Sequence, residues 1–400
     1  MSAPRFTARG RVAIAGFAHS PIARHADVPL GALTVETCLR AIADAGLTKD
    51  QIDGFTTGAL FPSSGGRALV DGVHVVSAAW LVERLRARPR WICGFEGIGQ
   101  LPGAVILATE AIASGAVDHV VVHRAMFNPA GGYHDNPMTR AEGAAQWTAP
   151  QGFWGPPVQM ALPYMEYMRG YGATREDMAA VAVEARSNGA AIPWSHWHGR
   201  PISAGDYLGA RMIAEPISVL DCDIPVTGVG AFVLTSAERA RDLPHRPVYV
   251  AGYAQGHRRP ANGVNVWSLD DLFDGGREVA RTLWDNTGLC PEDVDVPQVY
   301  DGFSPFVYFW LEALGYCGRG DAHRFVRDGG IRTGTGLPVL SGGGALGNGR
   351  MHGVPQMLEC YLQLSRRAGE RQLPRADVGL ACQAAPSLGG VVAYTSEPTA

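Results

Sequence analysis

Short runs of apolar, β-branched residues alternate with stretches of helical spacing along most of this chain. Residues 11–17 (RVAIAGF) form a strand pattern ending in a small-residue turn, and residues 30–45 carry apolar positions at helical spacing. The pattern continues with strands at 52–57, 91–95 and 119–123 (HVVVH) and helices at 74–85 and 99–114, the last stopping at Gly115. Residues from about 125 to 213 break this rhythm with Pro, Gly, Trp and Met clusters (FNPAGG, GFWGPP, IPWSHWHG) around helical patterns at 158–171 and 175–190. This stretch reads as a loop domain inserted over the sheet, its aromatic and Met side chains either shaping a pocket for a bulky apolar substrate or forming the lobe's own core.

Regular alternation then resumes. Strands are expected at 228–235 and 247–253 (PVYVAGY, similar to the opening RVAIAGF), with a short helix at 236–241 between them. A helix at 270–287, a strand at 297–300 and a helix at 305–314 follow. Beyond them come a glycine-rich loop opening a helix from near Gly349 to Ser365, and strands at 378–382 and 390–395. Such alternation predicts an α/β sandwich with largely parallel sheets. Two copies of a βαβαβαββ unit account for the length, with halves at 1–243 and 244–400 and the loop domain inside the first.

Composition narrows the function classes. With 400 residues, 46% hydrophobic and 18% charged, the chain can bury a large core. A net charge of −4 and the lack of any Lys/Arg block argue against nucleic acid or an anionic membrane as partner. No apolar run approaches the roughly 20 residues that span a bilayer, and the start, MSAPRFTARGR, has no apolar signal-peptide core. Seven scattered cysteines, never in CxxC spacing, point to the cytoplasm, with neither a disulfide framework nor a zinc site in this chain.

The stretch SGGGALGNGRMHG, residues 341–353, is the first candidate for chemistry. A glycine-rich turn lets backbone N–H groups approach a ligand and leaves the first donors of the following helix for an anionic or carbonyl oxygen, although it also serves as a plain tight turn. The spacing Gly97-x-Gly99-x-x-x-Gly103 is wrong for a dinucleotide turn.

Several segments in order carry a resemblance. AIASGAVDHVVVHR (111–124), RMIAEPISVLDCD followed by GVGAFVLTSAERARDL, YDGFS (300–304), the glycine loop and the closing pair Gly389-Gly390 together resemble the thiolase superfamily, and more narrowly its lipid-transfer-protein or thiolase-like branch. The resemblance spans nearly the whole chain and implies a five-layer αβαβα sandwich of two halves. It also exposes departures. The thiolase nucleophile would fall at or next to Ile98, which cannot form an acyl-enzyme, and Cys93 lies five residues upstream in a strand pattern. Tyr300 stands where the family carries Asn or His. Asn348-Gly349-Arg350 replaces a GHP loop, and His352 follows Asn348 by one helical turn, on a similar face if both are helical. Cys382 sits where a second, proton-transferring cysteine would be, but its glycine context is lost and Gln383 is an alternative lining group.

A thiolase-like pocket without its nucleophile can still stabilise a thioester enolate, which requires an oxyanion site and a proton shuttle. Retro-aldol cleavage of a β-hydroxyacyl-CoA has that requirement. The resemblance strengthens this reading, because thiolase-like aldolases of steroid side-chain degradation lack the nucleophile, use tyrosine in YDxF, and act with a separate small OB-fold and zinc-ribbon partner. On this reading Tyr300 is the proton-transfer residue, His352 its complement and Asn348 with loop amides the enolate stabilisers, although the family's second tyrosine after the glycine loop has no counterpart between Tyr316 and Tyr361. Gly344, Gly347, Gly349, Gly389 and Gly390 would bring backbone against the CoA thioester. Asp301 would orient the strand end, and Asp221 and Asp223 would be turn or dimer contacts. The chain would need no cofactor of its own, the CoA thioester being its substrate and any zinc lying in the partner. It would form a homodimer that assembles with that partner into a heterotetramer. Two other readings are a thiolase or acyl-CoA acyltransferase, which needs a placed cysteine, and a non-catalytic carrier of lipid or acyl-CoA.

Overall fold

A computed structural model describes residues 5–58, 70–97, 100–128, 146–153, 155–257 and 267–398. Its strands are β1 Val12–His19, β2 Gly54–Thr57, β3 Trp91–Gly94, β4 His119–Met126, β5 Met212–Ala214, β6 Ile217–Ser218, β7 Gly228–Ser236, β8 Val248–Gln255, β9 Val296–Gln298, β10 Val378–Gln383 and β11 Gly390–Thr395. Its helices are α1 Leu30–Asp44, α2 Ala78–Leu85, α3 Gln100–Ala113, α4 Pro156–Tyr171, α5 Arg175–Ala190, α6 Ala204–Leu208, α7 Ala237–Ala240, α8 Leu269–Thr287, α9 Pro305–Leu314, α10 Ala322–Arg327, α11 Gly344–Asn348 and α12 Val354–Leu364.

Nine strands form one continuous sheet in the order β3-β2-β4-β7-β1-β8-β11-β10-β9. The order mirrors itself about the junction of β1 and β8, where Ala13 pairs with Tyr249 and Ile14 with Val248. On each side the first strand is followed by an antiparallel last strand, β7 or β11, and then by strands parallel to one another. The sheet is therefore mixed, not largely parallel as the alternation suggests. In the second half the cause is local: the short loop from Gln383 to Gly390 can only return the chain antiparallel.

Helices α3 and α12 lie inside the molecule. All eleven residues of α12 are buried, and the cluster around the two helices takes Val120, Val122 and Phe232 from one half and Val248, Val296 and Val392 from the other. A helix buried all round needs cover on every side, and the polar Gln356, Glu359 and Gln363 of α12 find hydrogen-bond partners within the protein. α1 and α2 cover the outer face of the first half, and α8 and α9 that of the second, completing helix, sheet, helix, sheet, helix.

The segment between β4 and β7 contributes α4, α5, α6 and the β5–β6 hairpin. Its Met160, Tyr164, Tyr167 and Met178 are buried in one cluster with Phe273, Tyr308 and Phe309 of α8 and α9. Those side chains are core, not pocket wall. The helix expected from Gly349 to Ser365 starts later, as α12 at Val354, and a separate short helix, α11, ends just before Gly349; in the connection between them Gly349, His352 and Gly353 have φ of 122°, 45° and 93°. Left-handed backbone at three of five positions cannot continue an α-helix.

Candidate active site

Tyr300 lies two residues past β9, just ahead of α9, with its ring 5.9 Å from that of Phe306. Its hydroxyl stands 3.4 Å from Asp223 Oδ2, and Arg350 Nε donates to Asp223 Oδ1 at 2.6 Å. All three are nearly shut from water: Tyr300 is 6% exposed, Asp223 2% and Arg350 6%. Two backbone bonds hold the arrangement, Asp223 N–H to Gly302 O at 3.0 Å and Arg350 N–H to Ile224 O at 2.9 Å. Burial raises the pKa of both the Tyr300 phenol and the Asp223 carboxyl. Arg350 opposes both shifts, while Asp223 adds to that on Tyr300. Tyr300 is thus held as a phenol beside an arginine-paired carboxyl group whose pKa burial raises.

The neighbouring Asp301 serves the glycine loop. Its Oδ1 accepts from Ala345 N–H at 2.6 Å and from Gln356 Nε2 at 3.1 Å, and its Oδ2 accepts from Leu346 N–H at 3.0 Å. This ties the start of α11 to the Tyr300 peptide. Burial pushes the carboxyl up to about 7 against the pull of those amides.

The loop residues play different parts from those the sequence suggests. Both amide hydrogens of Asn348 are spent, on Gly342 O at 2.7 Å and Gly344 O at 2.8 Å, which leaves it an acceptor, Oδ1, and no donor for an enolate. The glycines are small for the sake of protein neighbours. A Cβ would stand 2.2 Å from Asp301 Oδ2 at Gly344, 2.0 Å from Ala185 O at Gly347, 2.8 Å from Val226 at Gly349 and 1.7 Å from Gln383 O at Gly389. Gly390 opens β11, paired with Gln383 and Gln255. His352 does not share a helical face with Asn348, because Gly349 ends α11 and His352 takes left-handed backbone. It meets Arg124 of β4 instead, whose Nη2 lies 3.0 Å from His352 Nδ1.

No cysteine is presented as a nucleophile. Ile98 lies outside the described residues, and Cys93, on the edge strand β3, has its Sγ 3.8 Å from Gly94 O. Cys382 faces the outer core of the second half, whereas Ala381 faces the central layer. Strand alternation therefore puts Gln383, not Cys382, on the Ala381 side. Gln383 is close enough to Tyr300 to pull its pKa down, and its buried Oε1 has no partner. Cys222 lines the cavity described next, but burial raises its pKa and Asp221 and Asp223 add to the shift, so it stays a thiol. Asp221 is a brace, accepting from Tyr207 Oη at 2.6 Å, from Ser218 Oγ at 2.7 Å and from Ser304 Oγ.

A cavity of ≈ 440 Å³ reaches Asp223 and Arg350. Arg24, Arg186 and Arg211 also line it, against an apolar wall that includes Ile213, Leu220, Ile224 and Leu346. The Arg186 guanidinium lies over Trp197, 3.7 Å from the ring centroid. Arginines beside an apolar wall suit a ligand that is anionic at one end and apolar along its length. Among the described residues no group of three His, Cys, Asp or Glu side chains could hold a metal ion, and no helix is long and apolar enough to cross a membrane.

Asp223 and Arg124 have no local sequence signal, since the contacts they make bridge 77 and 228 positions respectively. Arg350 was visible within the loop, but its carboxylate partner, 127 positions away, was not.

The comparisons agree with this architecture. The family model "Thiolase C-terminal domain-like" matches residues 266–396. The chain is 34% identical over 369 residues to 17-hydroxy-3-oxo-4-pregnene-20-carboxyl-CoA lyase of Mycobacterium tuberculosis, covering 89% of this chain and 92% of that one. It is 35% identical over 360 residues to a steroid side-chain-cleaving aldolase of Thermomonospora curvata, covering 88% and 89%. Among solved structures, the Ltp2-ChsH2(DUF35) aldolase superposes with a TM-score of 0.85 at 30% identity, over 98% of this chain and 99% of that one. Human mitochondrial 3-ketoacyl-CoA thiolase, with a TM-score of 0.64 at 13% identity over 98% of this chain and 100% of that one, shares the fold. Fold and site define a thiolase-fold protein. Within that class the chain belongs to the thiolase superfamily's thiolase-like aldolases, the branch that holds the first three of these relatives.

Proposed function

We propose that this chain is a carbon–carbon lyase that cleaves a bulky, steroid side-chain-like β-hydroxyacyl-CoA by a retro-aldol reaction, giving a ketone or aldehyde and a shorter acyl-CoA without an acyl-enzyme. The observation that carries this reading is the buried Tyr300–Asp223–Arg350 set, of which Asp223 and Arg350 line an arginine-rich cavity, with no activated cysteine beside it.

In the reaction, the substrate β-hydroxyl gives its proton to the Tyr300 oxygen as the Tyr300 proton passes to Asp223 Oδ2. The Cα–Cβ bond breaks, its electron pair forms the thioester enolate, and the proton returns by the same route to Cα. Relay suits these groups better than a standing phenolate, because burial disfavours the charged form of Tyr300. Asn348 braces the loop, with its amide hydrogens on Gly342 and Gly344. The arginines of the cavity take the phosphates of CoA. The Ltp2-ChsH2(DUF35) aldolase supports a two-subunit arrangement. By that analogy this chain, with halves at 1–243 and 244–400, works in the cytoplasm as a homodimer joined to a separate OB-fold partner that carries any zinc.

The test is to co-purify the chain with that partner and follow ketone release from a tertiary β-hydroxyacyl-CoA. Tyr300→Phe should lower the rate by about 10²-fold or more, the usual worth of a positioned proton-transfer group. Undiminished release by the variant would remove Tyr300 from this role. A covalent acyl adduct on any cysteine would replace the lyase reading with an acyltransferase.

A further inference from the structure

We infer that Arg124 is a positioning residue: it locks His352 as a neutral imidazole with its proton on Nε2, so that His352 presents a hydrogen-bond donor rather than a base. Arg124 Nη2 lies 3.0 Å from His352 Nδ1. A guanidinium has five N–H donors, no acceptor, and does not deprotonate in this range. Nδ1 must therefore keep its lone pair and accept, and in a neutral ring the proton then sits on Nε2. A doubly protonated ring would turn an N–H toward the Arg124 cation.

The anchor is rigid. Arg124 is 2% exposed and sits on β4, a strand paired on both sides, by β2 and β7. His352 is held in left-handed backbone within the connection between α11 and α12, one residue before Gly353, which packs against Leu101 and Pro102 of α3 and against Gln383. Among the described residues, the charged groups that face the imidazole are Arg124 from β4 and Arg350 from its own connection. Asp223 lies beyond Arg350, and Tyr300 lies near Arg124. Both arginines oppose a charge on the ring, as does its burial.

This deepens the retro-aldol reading and rests on it for its catalytic meaning. Tyr300 and Asp223 take the hydroxyl proton, while His352 Nε2–H meets the thioester oxygen on which negative charge grows as the enolate forms. A neutral imidazole is a weak acid suited to that charge, and it does not compete for the proton that Tyr300 must receive.

The test reads the tautomer directly. ¹⁵N-histidine-labelled protein is examined by NMR, with the His352 signals assigned by their loss in His352→Gln. In the wild type Nε2 should carry the proton and Nδ1 none, unchanged from about pH 5.5 to about pH 8, the range in which an ordinary histidine titrates. Arg124→Lys, which keeps a cationic donor, should retain that pattern. Arg124→Met should give mixed tautomers, with burial and Arg350 still opposing a charge on the ring. Turnover by Arg124→Met should fall on the order of 10²-fold in kcat with little change in KM, the cost of a misplaced group. A proton on Nδ1 in the wild type, or an unchanged single tautomer in Arg124→Met, would overturn the inference. Should Arg124→Met fail to fold, the wild-type and Arg124→Lys spectra still decide. Tautomers as stated with no C–C cleavage by any variant would support the Arg124–His352 coupling and count against the retro-aldol reading instead.

Discussion

Two buried aspartates one residue and one loop from Tyr300 have opposite duties. Asp223 is paired with Arg350, and removing either partner would strand a charge in a site nearly closed to water, a far greater loss than an exposed pair would show. Among the described residues no cation pairs with Asp301. It is held by two backbone amides and Gln356, and burial raises its pKa to about 7. Its unfolded value is about 3.9. Between these values the folded chain keeps a proton that the unfolded chain has lost, so this group's contribution to stability is full below about pH 4 and is lost as pH rises through about 7. We expect the stability difference between wild type and Asp301→Asn to be larger near pH 4.5 than near pH 7.5 by roughly 2 to 4 kcal/mol, read from urea midpoints at each pH. A difference that stays flat across this range would sink the assignment. Tyr300 could be singled out from the YDGF motif because the motif is contiguous. Asp223 could not, since the neighbouring Asp221 in LDCD looks equivalent and is instead a brace to Tyr207, Ser218 and Ser304.

At the scale of elements, most strands and helices follow from periodicity, because their spacing is a local property. Helix α8 begins where Ser268 and Asp271 form a capping box and ends before Gly288 at φ 69°, both visible in the residues themselves. The stretch after Gly343 defied this reading. It reads as a glycine loop running into a helix near Gly349, yet residues 344–348 are helical and the next helix waits until Val354, with Asp301, Ala185 and Val226 crowding Gly344, Gly347 and Gly349. Close approach also explains Gly302, where a Cβ would stand 2.1 Å from the Tyr300 hydroxyl. Gly302→Ala should therefore displace the phenol from Asp223, lowering kcat on the order of 10²-fold at a stability cost of about 1–3 kcal/mol. Steady-state kinetics alongside thermal melts would check this, and full turnover would show that the Tyr300–Asp223 distance does not matter.

Across the whole molecule, the halves are joined by more than the β1–β8 junction. Arg367, just past α12, makes a two-pronged pair with Asp44 at the end of α1, at 3.0 and 2.8 Å, and lies over the rings of Phe17 and Tyr361. The cavity is likewise a property of the assembled chain, its arginines arriving from separate segments at positions 24, 186, 211 and 350. If they bind the phosphates of CoA, the double change Arg24→Met and Arg211→Met should raise KM for a CoA thioester by roughly 30-fold or more, since each charged hydrogen bond is worth about 1 kcal/mol or more. The same variant should leave KM for the matching pantetheine thioester unchanged, and the effect should shrink at high salt. Equal losses for both thioesters would place the phosphates elsewhere.

The sequence by itself determined the alternation of strands and helices, the ordered motifs of the thiolase superfamily and the candidacy of Tyr300, because each is written in residues a few positions apart. Only the tertiary structure decided the company Tyr300 keeps. Asp223, Arg350, Arg124 and His352 come together across contacts bridging 77, 127 and 228 positions. A polar side chain's protonation and role depend on what desolvates and pairs it, and that is settled only when distant strands and loops are packed around it.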